Sequence, residues 1–247
     1  MTLLVVSSSS FRRPLEDKVL DLPSLLLQLP STGFRALEAA SAHFATLSPG
    51  YLDQLRNLSS VSGISICCLD LRSDFAFPDP AERARQLTDL QAWINLAVEL
   101  DVPLLRLRTV NPDLSPDPSL ARQLLVDSLN VLLPHARSRR RRLALHDNAH
   151  LFAPDDLLKL LVTIDDASST DAPTLGLSLD VRALPASLPD RLFHLRVPCD
   201  DQPSSLAPLV RLLPQLPAGS ASPIVAFDYL GPRNPADALA EIRLRIP

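Results

Sequence analysis

RLALHDNAH, residues 142–150, joins a buried-strand signal to a polar cluster. The apolar run Leu143, Ala144 and Leu145 stops at His146, Asp147 and Asn148, and His150 follows. Polar, coordination-capable side chains at the mouth of a buried strand are costly to desolvate unless they pair or bind something. The pattern recurs elsewhere: LGLSLD ends at Asp180, RLFHLR carries His194 and Arg196, and PIVAFDY places Asp228 near its end. Apolar strands that each finish in an acid or an imidazole predict one site assembled at the strand ends.

Working outward, strand candidates begin near residues 3, 34, 64, 103, 142, 175, 192 and 224. Between them lie segments with helical spacing of apolar residues. Residues 15–29 are one, with Pro23 expected to kink or divide it. Another opens at Pro49 and is closed by Gly63, and residues 81–100 follow Asp79-Pro80. Residues 119–133, 154–161, 204–216 and 235–246 complete the set. An acid before a proline in the first turn is a helix-start signal. Eight alternating strand–helix units with near-continuous apolar strands predict an α/β fold, a (β/α)8 TIM barrel forming a single domain over residues 1–247. Residues 181–191 are about the minimum for a parallel crossover, so the helix between strands six and seven should be shortened or missing. A doubly wound open sheet is the alternative, but no glycine-rich phosphate loop follows any early strand.

Composition agrees with a folded core. Hydrophobic residues make up 46% of the 247 positions, with only eight Phe, two Tyr and one Trp. A net charge of −4 gives no general attraction to nucleic acid. Cys67, Cys68 and Cys199 have no metal-ligand spacing and read as buried thiols of a reducing compartment. No apolar stretch approaches the roughly 20 residues of a membrane span. MTLLVVSSSSFRR reads as a first strand rather than a secretory signal, so a cytoplasmic, membrane-free protein is expected. Five arginines within residues 137–142 fall between a helix and strand five. A solvated loop on the amino-terminal face is the expectation there, with a polyanion patch as alternative.

In such a barrel the active site lies at the carboxyl ends of the strands. That places Glu38, Asp70, Arg106 or Arg108, His146, Asp147, Asp180, His194, Arg196 and Asp228 together. Carboxylates and imidazoles in that number suit a divalent metal ion such as Mn²⁺, Mg²⁺ or Zn²⁺, which polarises a carbonyl or hydroxyl for proton transfer. Structural roles compete with each assignment. Asp180 and Asp228 could cap turns, His146 could bond the backbone, and His194 could be a satisfied core histidine. Glu38 stands out because the chain has five glutamates and one lies inside an apolar strand. His43, His135 and His150 are expected to be exposed or structural.

Taken together, GFRALEAA (residues 33–40), residues 68–108, LALHDNAH, LGLSLD, LFHLRV and IVAFDYLGP resemble the xylose isomerase-like, AP endonuclease family 2-type TIM barrels in order and spacing. That family includes sugar phosphate isomerase/epimerase-like proteins and dehydroshikimate dehydratases. The resemblance implies a metal site from an acid on strand five, an aspartate on strand six, a histidine on strand seven and a glutamate on strand eight. Carried over, these fall on His146, Asp180, His194 and Asp228, while Glu38 matches a glutamate common on strand two. Two of the four positions are therefore altered, an imidazole for a carboxylate and Asp for Glu. Both changes weaken a site for hard cations and shift preference towards Zn²⁺-like metals.

The expected function is a metal-dependent sugar (phosphate) isomerase or epimerase acting on a small polyhydroxylated substrate. Glu38 or Asp147 would be the catalytic base, Arg106 and Arg196 would bind substrate, and His146, Asp180, His194 and Asp228 would hold the metal. The alternatives are a metal-free barrel acting as a binding or scaffold protein and a dehydroshikimate dehydratase-like lyase. A DNA-repair nuclease would need a basic groove on the site face, whereas the arginine run falls on the other.

Overall fold

A computed structural model describes residues 2–75, 77, 79–109, 117–147, 152, 154–166, 173–184, 188–217 and 222–246. Eight strands run β1 (Leu3–Ser7), β2 (Ala36–Ala40), β3 (Ser65–Leu71), β4 (Leu104–Arg108), β5 (Arg142–His146), β6 (Leu175–Asp180), β7 (Leu192–Cys199) and β8 (Ile224–Tyr229). They are hydrogen-bonded in chain order into a closed barrel, and β1 pairs in parallel with both β2 and β8. The helices are α1 (Arg12–Glu16), α2 (Leu22–Gln28), α3 (Pro49–Ser62), α4 (Pro80–Glu99), α5 (Pro118–Ser138), α6 (Pro154–Asp166), α7 (Ala207–Leu212) and α8 (Pro235–Leu244). The (β/α)8 expectation is met. Among the described residues only a 3-10 turn, Val181–Ala183, lies between β6 and β7. None of the described helices is long and apolar enough to cross a membrane.

Local chemistry sets the helix ends. Asp79, Asp117 and Asn234 each precede a proline and accept a hydrogen bond from the amide two residues on, at 2.8, 2.9 and 2.9 Å. The cap satisfies one free N–H, and proline occupies a position whose N–H would be free anyway. Gly63 ends α3 with φ at +68°, a left-handed conformation that glycine adopts without steric cost.

Two helices depart from the sequence reading. α5 continues past Pro134 to Ser138; the proline side chain is exposed, so the missing amide hydrogen bond falls on the solvent side. The single helix expected over residues 204–216 is instead α7 flanked by two 3-10 turns. Pro203, Pro208 and Pro214 leave no stretch long enough for a continuous i→i−4 ladder.

Internal contacts divide the chain into two compact units. One holds residues 1–69, 180–184 and 194–247, the other residues 70–179 and 185–193. In the first, the core is built from the apolar faces of β1, β2 and β8 with α2 and α8, including Phe34 and Phe227, whose ring centroids lie 5.3 Å apart.

In the second unit, Asp165 at the end of α6 is 4% exposed and collects four donors. Arg137 Nη2 reaches its Oδ1 at 2.6 Å, and Arg191 Nη1 its Oδ2 at 2.8 Å. The Thr174 and Leu175 amides add 3.0 and 3.1 Å bonds. The neighbouring arginines are also engaged, contrary to a simple solvated loop. Arg139 bonds Asn95 at 3.0 Å, Arg141 reaches Asp101 at 3.5 Å, and Arg142 lies 5.0 Å over the Phe193 ring. The run is largely a clamp on α4, α6 and β7.

Candidate functional site

In the first unit, alternation along β2, β3 and β7 turns Glu38, Cys68 and His194 into the apolar interior, where they are 2%, 0% and 0% exposed. His194 Nε2 meets Glu38 Oε2 at 2.6 Å. One donor atom from each of Glu38, Cys68 and His194 can be chosen so that all three lie within 4.8 Å of one another. His194 is the third residue of β7, deeper than a strand end, and Glu38 sits opposite Ser7 of β1.

Nearer the carboxyl ends of the same unit lies a chain of ion pairs. Arg196, two residues beyond His194, donates from Nε and Nη2 to Asp228 Oδ2, the former at 3.1 Å. Its Nη1 lies 3.9 Å from Asp180 Oδ2. Asp228 is buried, and its Oδ1 has no hydrogen-bond partner among the described residues. Asp180 caps the 3-10 turn after β6, accepting from the Arg182 amide at 2.9 Å and from its guanidinium at 3.1 Å. Burial resists ionisation of Asp180, but the Arg182 bonds and the charges of Arg182 and Arg196 outweigh it and hold its pKa below the ordinary value.

Three of the four expected metal ligands therefore already have partners here. A divalent ion set between Asp180 and Asp228 would meet two guanidiniums, and like charges at such range repel. With those arginines in place, the carboxylates at the mouth do not fit a divalent ion.

The second unit holds the remaining expected residues. Arg106 is 4% exposed, with Nη1 on Asp70 Oδ1 at 2.7 Å and Nε donating to Ser178 Oγ at 3.0 Å. The sequence reading assigned it to substrate; here it is buried against Asp70 and Ser178. His146 Nδ1 lies 3.2 Å from the Ser178 carbonyl oxygen. Asp147, expected as a base, accepts from Thr109 Oγ1 at 3.1 Å and from the Phe152 amide at 2.9 Å. Asn148 and His150 lie outside the described residues.

Sequence reading gave two residues of the first unit only structural roles. Cys68 read as an inert thiol, and strand alternation alone could have paired it with Glu38. His43, just beyond β2, has Nδ1 2.8 Å from Ser8 Oγ, and that oxygen also accepts the Ala40 amide at 2.9 Å. No spacing in the sequence announces that pair.

Cys199, at the end of β7, is 2% exposed, and its pKa is pushed up to about 12 by burial and then by the charges of Asp228 and Asp200. A thiol whose pKa is raised by folding stabilises the native state below its unfolded value near 8.5 and loses that contribution as pH rises above it. Stability should therefore fall between about pH 9 and 12, by up to about 1.4 kcal/mol per pH unit from this group. Urea unfolding across that range should show a shallower fall for Cys199→Ala; an identical slope would remove Cys199 as the cause.

The model of the xylose isomerase-like TIM barrel matches residues 27–182. The chain belongs to that family. No curated protein matches the sequence. Among solved structures, 3-keto-D-glucoside 4-epimerase of E. coli superposes with a TM-score of 0.74 at 14% identity, over 99% of this chain and 100% of that one. D-psicose 3-epimerase of Clostridium cellulolyticum H10, solved with D-tagatose, gives 0.73 at 14% identity, over 98% and 90%. The IOLI protein with a bound zinc atom gives 0.72 at 15% identity, over 99% and 96%. At these identities the likeness is one of fold.

Proposed function

We propose that this family member is a sugar isomerase- or epimerase-like enzyme that moves a proton on a small polyhydroxylated substrate. The observation that carries the reading is the 2.6 Å contact between Glu38 and His194 inside the barrel. A buried carboxylate in contact with an imidazole can take and return a proton without the reorganisation cost that water imposes. The epimerases among its structural neighbours support the substrate class.

In this mechanism Glu38 accepts the proton from substrate carbon, and His194 steadies the carboxylate through Nε2. Arg196, whose side chain is 29% exposed, turns from Asp228 towards a substrate hydroxyl or anionic group. Asp228 Oδ1, without a hydrogen-bond partner among the described residues, accepts from a second hydroxyl. Arg106 and Asp147 hold structure, and no step runs through a metal at Asp180 and Asp228. Residues 1–247 act as one barrel domain in this account.

The arginine pairs on Asp180 and Asp228 favour a second reading, a metal-free barrel that binds a sugar without turning it over. The two separate cleanly. Incubated in D2O with a panel of ketohexoses and 3-keto sugars, the protein should introduce deuterium beside the carbonyl, read by loss of the carbon-bound proton signal in NMR. Saturable binding with no exchange would replace the enzyme by the binding protein.

A further inference from the structure

We propose that Glu38, Cys68 and His194 form a site for a thiophilic divalent cation of the Zn²⁺ class, held in the interior of the first unit. It shares Glu38 and His194 with the proposed function, which uses them in the metal-free protein, and it rests on that reading only for its place in the reaction. Its metal-binding claim stands on the geometry.

Three donor types converge from three strands, and one atom of each lies within 4.8 Å of the others. Strands place donors more rigidly than loops do. Charge decides the matter further. A carboxylate, a thiolate and a neutral imidazole around a doubly charged ion sum to zero, and a buried site with no net charge avoids most of the desolvation penalty. The thiolate selects Zn²⁺ or Co²⁺ over Mg²⁺ and Mn²⁺. Three protein ligands leave a fourth position open, the count of a reactive rather than a closed structural centre.

The present spacing shows what binding must change. Ligands at about 2.0–2.2 Å in a tetrahedral arrangement sit roughly 3.3 Å apart, whereas Glu38 Oε2 and His194 Nε2 are 2.6 Å apart. The ion would take the place of that direct contact and part the two side chains by roughly 0.7 Å. Cys68 gives up its proton to solvent as its sulfur becomes a ligand. None of the mouth residues His146, Asp180 or Asp228 takes part, so the guanidiniums of Arg182 and Arg196 stay where they are.

The test uses the full chain, stripped with a chelator and titrated with Co²⁺ as a spectroscopic probe. One equivalent should bind, with a thiolate-to-cobalt charge-transfer band in the near ultraviolet, and equimolar Zn²⁺ should abolish it. Cys68→Ser and Cys68→Ala should both lose the band, and a thermal melt shows that each is folded. Cys199→Ser should keep it, and Glu38→Gln should weaken Co²⁺ binding by more than about tenfold. No binding, binding without the band, or a band that survives in a folded Cys68→Ser protein would overturn the assignment. The band is read without substrate and deuterium exchange without cobalt. Exchange without the band sinks the metal site alone, and the band without exchange sinks the enzyme alone.

Discussion

Replacing Asp165 by alanine should cost about 3–5 kcal/mol, because it strips a buried anion from two arginines that stay behind. The carboxylate is 3% exposed at its side chain, and the Arg137 and Arg191 side chains are 22% and 13% exposed, so neither guanidinium reaches bulk water fully. The amides of Thr174 and Leu175 would also lose their acceptor at the entry to β6. For a chain of this length each kcal/mol moves the melting temperature by about 2–4 °C, so a fall of roughly 10 °C is expected. Asp165→Asn keeps one acceptor oxygen and should fall between the wild type and alanine. Thermal and urea unfolding check this. A loss below about 1 kcal/mol would mean that the arginines find water once the acid is gone.

Glu38→Gln should slow deuterium exchange into substrate by about 10²–10⁴-fold while leaving the fold in place. Glutamine matches glutamate in size and can still hydrogen-bond His194, so packing around β2 survives and only the proton acceptor is lost. A rise in KM with kcat unchanged would assign Glu38 to binding. Exchange retained within threefold would remove it as the base and return attention to His43, which Ser8 holds beyond the same strand.

The identity of each residue leads in different directions at different positions. Residues 142–146 could be read as a buried strand because Leu143, Ala144 and Leu145 have no other economical environment, and the same logic placed all eight strands. The cap at Asp79 was equally legible, since a short polar side chain before proline favours a helix start. The helix over residues 204–216 failed because apolar periodicity was weighed above three prolines, and backbone chemistry won.

Site roles were less legible. Glu38, His194 and Arg196 could be singled out as costly in an apolar run, but not whom they would meet. Asp165 drew no attention because it ends an amphipathic helix, and Cys68 read only as a buried thiol because a thiol in a strand is ordinary core.

Sequence by itself determined the strand and helix periods, the shortened or missing helix between β6 and β7, and which polar side chains would be buried at a cost. Those follow from local sterics and from the hydrophobic effect acting on neighbours in the chain. Only the tertiary structure decided that Arg196 neutralises Asp228, that Arg106 pairs with Asp70, and that Glu38 meets His194 across 156 positions of chain. Charge pairing falls steeply with distance in space and is indifferent to distance in sequence, so it becomes definite only when the barrel closes.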